Sequence, residues 1–208
     1  MPFKRRPGMD RPPAEEGGWV RRALGGDEDA FARLVEAYQV PVFNLCYRML
    51  GDADLAEDAA QEAFLRAYRH LAAYDLRRPF RTWVLSIAAH HAIDQVRRRR
   101  VPTIPLDDAL DDSAPRDPAL GPEAALVQRQ GEEGVQRLLG HLSPSDRAAI
   151  VLRYWYDLSY EEMAGMLETS VSGVKSRLHR ARKQLATLAP ASGRVRSGGA
   201  QRVDASAL

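Results

Sequence analysis

Apolar residues recur along this chain at helical spacing, and no stretch keeps the alternation of a strand for long. Trp19 to Leu24 opens a short helix. Asp27 is a favourable N-cap for a helix running through about Tyr38, with Phe31, Leu34, Val35 and Tyr38 on one stripe. Pro41 suits the first turn of a next helix, PVFNLCYRML, and Gly51 suits its end. The segment DLAEDAAQEAFLRAYRHLAAY, capped by Asp52 or Asp54, puts Leu55, Ala59, Ala60, Ala63, Phe64, Ala67 and Leu71 on one side. Its other side carries Glu57, Asp58, Gln61, Glu62, Arg66 and Arg69, with acids early and bases late as the helix dipole favours. On residue chemistry alone that polar side is ordinary solvated helix. Asp75-Leu76-Arg77-Arg78-Pro79 then forms a loop. In PFRTWVLSIAAHHAIDQVRRRR, the residues Phe80, Val84, Ile87 and His91 trace one face, with Trp83 beside it.

A second set of helices follows. Gly121-Pro122-Glu123 begins a helix through Leu139, weakened at Gly131 and Gly134. Ser143-Pro144 pairs an N-cap with proline at the first helical position. Ile150, Val151, Tyr154 and Trp155 then supply a second small core, flanked by Leu142 and Leu158. The stretch LSYEEMAGMLETSVSGVKSRLHRARKQL reads as two helices around a tight turn. Ser159 and Glu162 form a capping box for the first, and Met163, Ala164 and Leu167 give it an apolar stripe. Val174, Leu178, Ala181 and Leu185 give the second a buried face. Lys175, Ser176, Arg177, His179, Arg180, Arg182 and Lys183 fill its other faces. This is the helix-turn-helix pattern, whose second helix enters the DNA major groove. A helical hairpin with a solvated basic face is the alternative on the same residues.

The expected fold is all-α: two small helical domains, residues 19–100 and 123–189, joined by a flexible acidic linker. The linker, residues 101–122, holds five prolines and five aspartates, which disfavour helix and repel one another. Residues 1–18, rich in Pro and Gly, and the basic tail 190–208 are expected to be disordered. The 208 residues are 45% hydrophobic and 28% charged, enough apolar content for folded cores. Net charge is only +2, but it is unevenly spread. Residues 101–137 carry three basic and eight acidic groups, and residues 170–208 carry eight basic and one acidic. Clustered basic charge beside acidic segments is the footprint of a nucleic-acid binder that meets other partners.

Four arginines at Arg97–Arg100, behind aromatics, also suit single-stranded nucleic acid, where charges track phosphates and rings stack on bases. His90 and His91 point about 100° apart on a helix and have no further ligand in sight, so no metal site is expected. The single Cys46 allows no disulfide within the chain and fits a reducing cytoplasm. The basic Lys4-Arg5-Arg6 start is not followed by an apolar segment, so no signal peptide is expected. No apolar run approaches a membrane span, and membrane insertion is not expected. No phosphate-binding glycine loop, metal-spaced carboxylates or nucleophile beside a base marks the chain as an enzyme.

Three blocks in order, DLAEDAAQEAFLRAYRHL, FRTWVLSIAAHHAIDQVRRRR and LSPSDRAAIVLRYWYDLSYEEMAGMLETSVSGVKSRLHRARKQL, resemble bacterial RNA polymerase sigma factors of the extracytoplasmic-function group. The resemblance covers roughly residues 27–100 and 123–187. It implies that the first domain is sigma region 2, binding the clamp helices of the β′ subunit and opening the −10 element. The second is region 4, binding the β flap and reading the −35 element. It implies core RNA polymerase and promoter DNA as partners, control by an anti-sigma factor, no cofactor, and no catalytic site in the chain itself.

Position by position, Asp58, Gln61, Glu62 and Arg66 match the segment gripping polymerase, which reverses the solvated-helix reading of that face. Tyr74, Leu76, Arg77 and Arg78 match the loop holding a flipped −10 base, and Trp83 matches the melting segment. His90 stands where the family commonly has Asn, which bears on the −10 base preferred. Asp94, Arg97 and Arg98 match the helix end facing promoter DNA. Lys175, Ser176, His179 and Arg180 match the groove-facing positions of the recognition helix, with Arg177 among them. Ser172-Gly173-Val174 replaces the family's usual Gly-Thr-Val opening; Gly173 lowers helix propensity by about 1 kcal/mol against Ala. A helix-turn-helix regulator acting without polymerase is the alternative that the FRTWVLSIAAHHAIDQVRRRR block argues against.

Overall fold

The computed structural model describes residues 13–100 and 122–188; the expected linker up to Gly121 and the tail from Ala189 lie outside them. Eight α-helices occur among the described residues: α1 Glu16–Leu24, α2 Glu28–Leu50, α3 Ala53–Arg69, α4 Phe80–Arg100, α5 Pro122–His141, α6 Pro144–Trp155, α7 Tyr160–Met166 and α8 Val171–Leu188. A 3-10 turn, Leu71–Ala73, follows α3. The all-α expectation holds. The N-terminal segment expected to be disordered through residue 18 is already helical from Glu16.

Local capping chemistry sets most of the boundaries. The Asp27 side chain accepts from Ala30 N, and Asp52, rather than Asp54, accepts from Leu55 N. Ser143 caps α6 with Pro144 behind it, and Ser159 and Glu162 complete both arms of the capping box on α7.

Two further expectations are corrected. The helix predicted to stop near Tyr38 and the one predicted to start at Pro41 are a single helix, α2, with Pro41 inside it. Pro41 has no N–H for the Ala37 carbonyl, a defect of about 3 kcal/mol in an isolated helix. The helix persists because Leu34, Tyr38, Pro41, Val42, Leu45 and Met49 lie on one buried face spanning both sides of the proline. Each fully buried side chain of that size contributes roughly 1.5–3 kcal/mol, so burial outweighs the lost bond.

The second correction concerns α4 and α6, which are buried more widely than a single stripe allows. In α4, Phe80, Val84, Leu85, Ala88, Ala89, Ala92, Ile93 and Val96 are all buried, while Ile87 and His91 are only partly so. In α6, Ala148 through Leu152 are buried without interruption, whereas Tyr154, expected in the core, is 49% exposed. Both helices have neighbours on two sides. Helix α4 packs on α2 and α3 and also on α6 and α7; α6 packs on α8 and also on α2 and α4. The two cores expected from the sequence are therefore one contiguous apolar cluster.

Polar bonds cross between the halves at the C-terminus of α2 and, at Pro41, in its interior. The last carbonyls of a helix have no partner within it. Here Gln136 Nε2 donates to the carbonyls of Tyr47 (3.0 Å) and Arg48 (3.2 Å). The buried Arg147 guanidinium donates to the Met49 carbonyl and, at 2.9 Å, to that of Gly140 near the end of α5. Tyr156, also buried, donates its hydroxyl to the Pro41 carbonyl. Gly51 ends α2 at φ 83°, a left-handed geometry that favours glycine, and a Cβ there would come within 3.3 Å of Gln136.

Candidate nucleic-acid interface

Four surfaces hold the residues singled out in the sequence. On α3, Asp58 and Gln61 are exposed and Glu62 and Arg66 half-buried, all on the face away from the alanine stripe. Glu62 and Arg66 pair at 2.7 Å one turn apart, and the hydrogen bond from Arg66 holds the Glu62 carboxyl below its ordinary range. Leu65, 51% exposed, and Tyr68 stand among these polar groups. Neither is among the positions expected from the sequence. Their signal was an apolar side chain displaced from the buried stripe and set in a charged face, a mixture typical of protein contact surfaces.

The second surface is the loop between the 3-10 turn and α4. Asp75 shapes it. Its Oδ1 accepts from Arg77 N at 3.0 Å, its carbonyl accepts from Arg78 N at 2.9 Å, and its carboxylate grips the Arg77 guanidinium. Those bonds hold the Asp75 carboxyl low, the Arg77 side chain foremost. Leu76, Arg77 and Arg78 project as the exposed tip. Tyr74 does not join them. It is buried, its hydroxyl donates to the Arg78 carbonyl, and its ring packs 4.9 Å from Trp83 and 5.8 Å from Phe80. Burial pushes the Tyr74 phenol up to about 12. Tyr74 thus supports the loop from beneath, and of the three rings packed here Trp83, half-buried, is the least covered.

The third surface lies along α4, where half-buried His90 is followed one helical turn on by exposed Asp94, and Asp94 a further turn on by the exposed pair Arg97 and Arg98. His91 turns from them toward α3. It is half-buried, 2.9 Å from Gln95 Nε2, and burial followed by the nearby Arg66 lowers its pKa. Arg97 lies 3.7 Å from Asp94 and donates to Ser145 Oγ of α6 at 3.3 Å. Among the described residues no group of three His, Cys, Asp or Glu could hold a metal.

The fourth surface is α8. Val174, Leu178 and Ala181 are buried against α6 and α7 with Leu185 half-buried, which leaves Lys175, Ser176, His179 and Arg180 outward. The Lys175 ammonium sits 5.9 Å from the Tyr160 ring centroid. Arg177 is half-buried on the flank. Arg180 is tied back: its Nη2 lies 2.9 Å from Oδ1 of buried Asp146 in the first turn of α6. Gly173 has a packing reason, because a Cβ there would stand 2.5 Å from Thr169 Oγ1. Ser170 Oγ caps this helix by accepting from Gly173 N at 3.1 Å.

The loop surface and α7 face one another. Arg78, Trp83 and Ser86 line one wall of an open cleft, and Glu161, Glu162 and Met166 line the other. Among the described residues no helix is long and apolar enough to cross a membrane.

Comparison with known proteins follows the same division. Residues 34–101 match the family described as Sigma-70 region 2, and residues 132–185 match Sigma-70, region 4. The ECF RNA polymerase sigma factor SigW of Bacillus subtilis (strain 168) is 37% identical over 174 residues, which is 80% of this chain and 92% of SigW. The solved structure of CnrH in complex with the cytosolic domain of CnrY is similar over 83% of this chain and 96% of that one, with a TM-score of 0.62 and 26% identity. The sigma factor RpoE, solved with the anti-sigma factor NepR from Bartonella quintana, shares the fold at a TM-score of 0.57 and 20% identity, over 76% and 95% of the two chains.

Proposed function

Because the chain belongs to the extracytoplasmic-function group of RNA polymerase sigma factors, we propose that it docks on core polymerase through α3 and reads two promoter elements with its two halves. The observation that carries this reading is the pairing of an exposed Leu76-Arg77-Arg78 loop before α4 with an outward Lys175, Ser176, His179 and Arg180 on α8. A lone helix-turn-helix regulator has no need of the first.

Each role follows from side-chain chemistry. Asp58, Gln61, Glu62 and Arg66, with Leu65 and Tyr68 among them, offer polymerase a mixed polar and apolar face. Leu76, Arg77 and Arg78 hold a base drawn from the −10 strand, with Trp83 behind them and Tyr74 as their support. His90, Asp94, Arg97 and Arg98 run along the opening strand, where arginines neutralise phosphate. On α8, Lys175 and Arg180 donate to guanine or phosphate, Ser176 and His179 reach base edges, and Arg177 steadies the helix flank. Asp146 fixes the reach of Arg180.

Polymerase supplies the chemistry, and the chain works in the cytoplasm without a cofactor. The domain limits 19–100, 101–122 and 123–189, with the first extended back to Glu16 where α1 begins, serve this division, and the acidic linker spans the two promoter sites. An anti-sigma factor is the inhibitor of this reading. Support comes from the similar CnrH, solved with a cytosolic partner domain.

The test is reconstitution. The purified chain should co-elute with core polymerase and direct run-off transcription from a subset of a genomic promoter library. Failure to co-elute, with no inhibitor bound, refutes the proposal. Binding to duplex DNA without co-elution would favour a regulator acting alone.

A further inference from the structure

Helix α4 begins at Phe80 directly after Pro79, and proline has no side-chain acceptor to cap the N–H groups of the first turn. The acceptor comes from 64 residues upstream. Phe80 N donates to Glu16 Oε1 at 3.1 Å, and the other carboxylate oxygen, Oε2, accepts the hydroxyl of Tyr38. Glu16 opens α1, outside the segment of the chain matched to region 2. A carboxylate at a helix N-terminus also sits favourably in the helix dipole.

The carboxylate anchors a stack of rings. Phe80 is fully buried, 5.8 Å from Tyr38, 5.8 Å from Tyr74 and 5.6 Å from Trp83. Tyr74 and Trp83 lie 4.9 Å apart, and the Tyr74 hydroxyl donates to the Arg78 carbonyl. One acid thus fixes the start of α4, and the rings carry that position to both ends of the Asp75–Pro79 loop. Its negative charge is felt there as well, adding to the burial that raises both the Tyr38 and the Tyr74 phenols.

We propose that Glu16 is a positioning residue for strand capture: it caps α4 from α1 and so sets the loop tip Leu76-Arg77-Arg78 and Trp83 in the geometry that receives the extruded base. This rests on the sigma-factor reading above. Glu16 touches no nucleic acid itself. Its effect therefore falls on the opened strand and leaves the α3 and α8 surfaces alone.

The experiment uses holoenzyme reconstituted from the full chain and core polymerase. The probe is a fluorescent forked duplex of a promoter recovered by run-off, with the −10 non-template strand single-stranded. Wild-type holoenzyme is measured first; if it does not bind the fork more tightly than a fork of scrambled −10 sequence, the sigma-factor reading fails and not the role of Glu16. Given wild-type capture, Glu16→Ala is expected to weaken fork binding about tenfold, within the range one helix cap spans. Affinity for core polymerase and for a −35 duplex should stay within about twofold. Glu16→Gln keeps an acceptor for Phe80 N but loses the charge and the Tyr38 acceptor, so it should fall between the two. In the free chain, amide exchange at Phe80 to Trp83 should speed up in the order wild type, Gln, Ala. Unchanged fork binding in Glu16→Ala overturns the proposal. So does an equal loss of core, −35 and fork binding, which would mark a general folding defect. If the alanine variant does not fold, Glu16→Gln decides alone: wild-type fork binding overturns the proposal, and a loss confined to the fork supports it.

Discussion

Replacing Arg147 tests whether the second half caps the central helix of the first. The Arg147 guanidinium is 6% exposed and donates to two carbonyls, Met49 near the end of α2 and Gly140 near the end of α5. A hydrogen bond from a charged donor contributes roughly 1.5–3 kcal/mol. A cation at a helix C-terminus adds roughly 0.3–1 kcal/mol for each helix. Against this stands the cost of burying a guanidinium, which is several kcal/mol and is regained in Arg147→Met. The net loss expected for Arg147→Met is about 2–4 kcal/mol, because methionine fills the space and leaves two carbonyls without their donor. Arg147→Lys should lose about half as much, since an ammonium reaches one carbonyl but not two. The assay is urea unfolding followed by tryptophan fluorescence, with Trp19 and Trp83 in the first half and Trp155 in the second. The lost free energy should appear as separation of one transition into two, because the affected bonds join the halves. A loss below about 0.5 kcal/mol, or a single transition as sharp as in the wild type, would refute the capping argument.

Three further outcomes follow from the same structure. Burial holds the His91 pKa below its ordinary 6.5, so the folded chain refuses a proton that the unfolded chain accepts. Stability attributable to His91 is complete above pH 6.5 and declines as pH falls from there toward the lowered folded value; in His91→Gln the urea midpoint should fall less between pH 7.5 and 5.5. Gly173→Ala should destabilise despite alanine's helix preference, because of Thr169 Oγ1 at 2.5 Å. In a Thr169→Ala background the same change should stabilise by up to about 1 kcal/mol, and thermal melts of the four-member cycle measure the difference. Cys46 has no exposed surface, and burial pushes its thiol up to about 12. At pH 8 its thiolate fraction is on the order of 10⁻⁴; alkylation followed by mass spectrometry should find the native chain inert, the unfolded chain fully modified, and Arg147→Met intermediate.

What the sequence disclosed was chemistry acting within about four residues. Asp27, Ser143 and the Ser159–Glu162 box each cap the helix that begins beside them, and Val174, Leu178 and Ala181 mark the buried side of α8 by spacing alone. What it hid was chemistry acting across the fold. No local rule places Glu16 at the start of α4, or Gln136 and Arg147 at the end of α2, because the partners are 64 to 98 residues apart. Pro41 departs from expectation for the same reason: its helical cost is local, whereas the burial that outweighs it is tertiary. Of the candidate site, the exposed basic positions on α8 and in the loop were legible as charge. The turn of Tyr74 inward, the tether of Arg180 to Asp146 and the apolar pair Leu65 and Tyr68 were not, since each depends on a neighbouring element.

The caps laid on α2 by the second half have a consequence for when the chain can act. The two halves belong to one polypeptide, so each is the other's tethered ligand at an effective concentration of about millimolar, and dilution does not part them. A partner that needs them apart competes with that internal ligand. If closure is favoured by about 2 kcal/mol, roughly one molecule in thirty is open, and the apparent affinity for such a partner is weaker by the same factor. The amount of chain needed to engage that partner is then set by Gln136, Arg147 and Tyr156, none of which has to touch it. Substitutions there tune a response threshold while leaving every recognition surface intact.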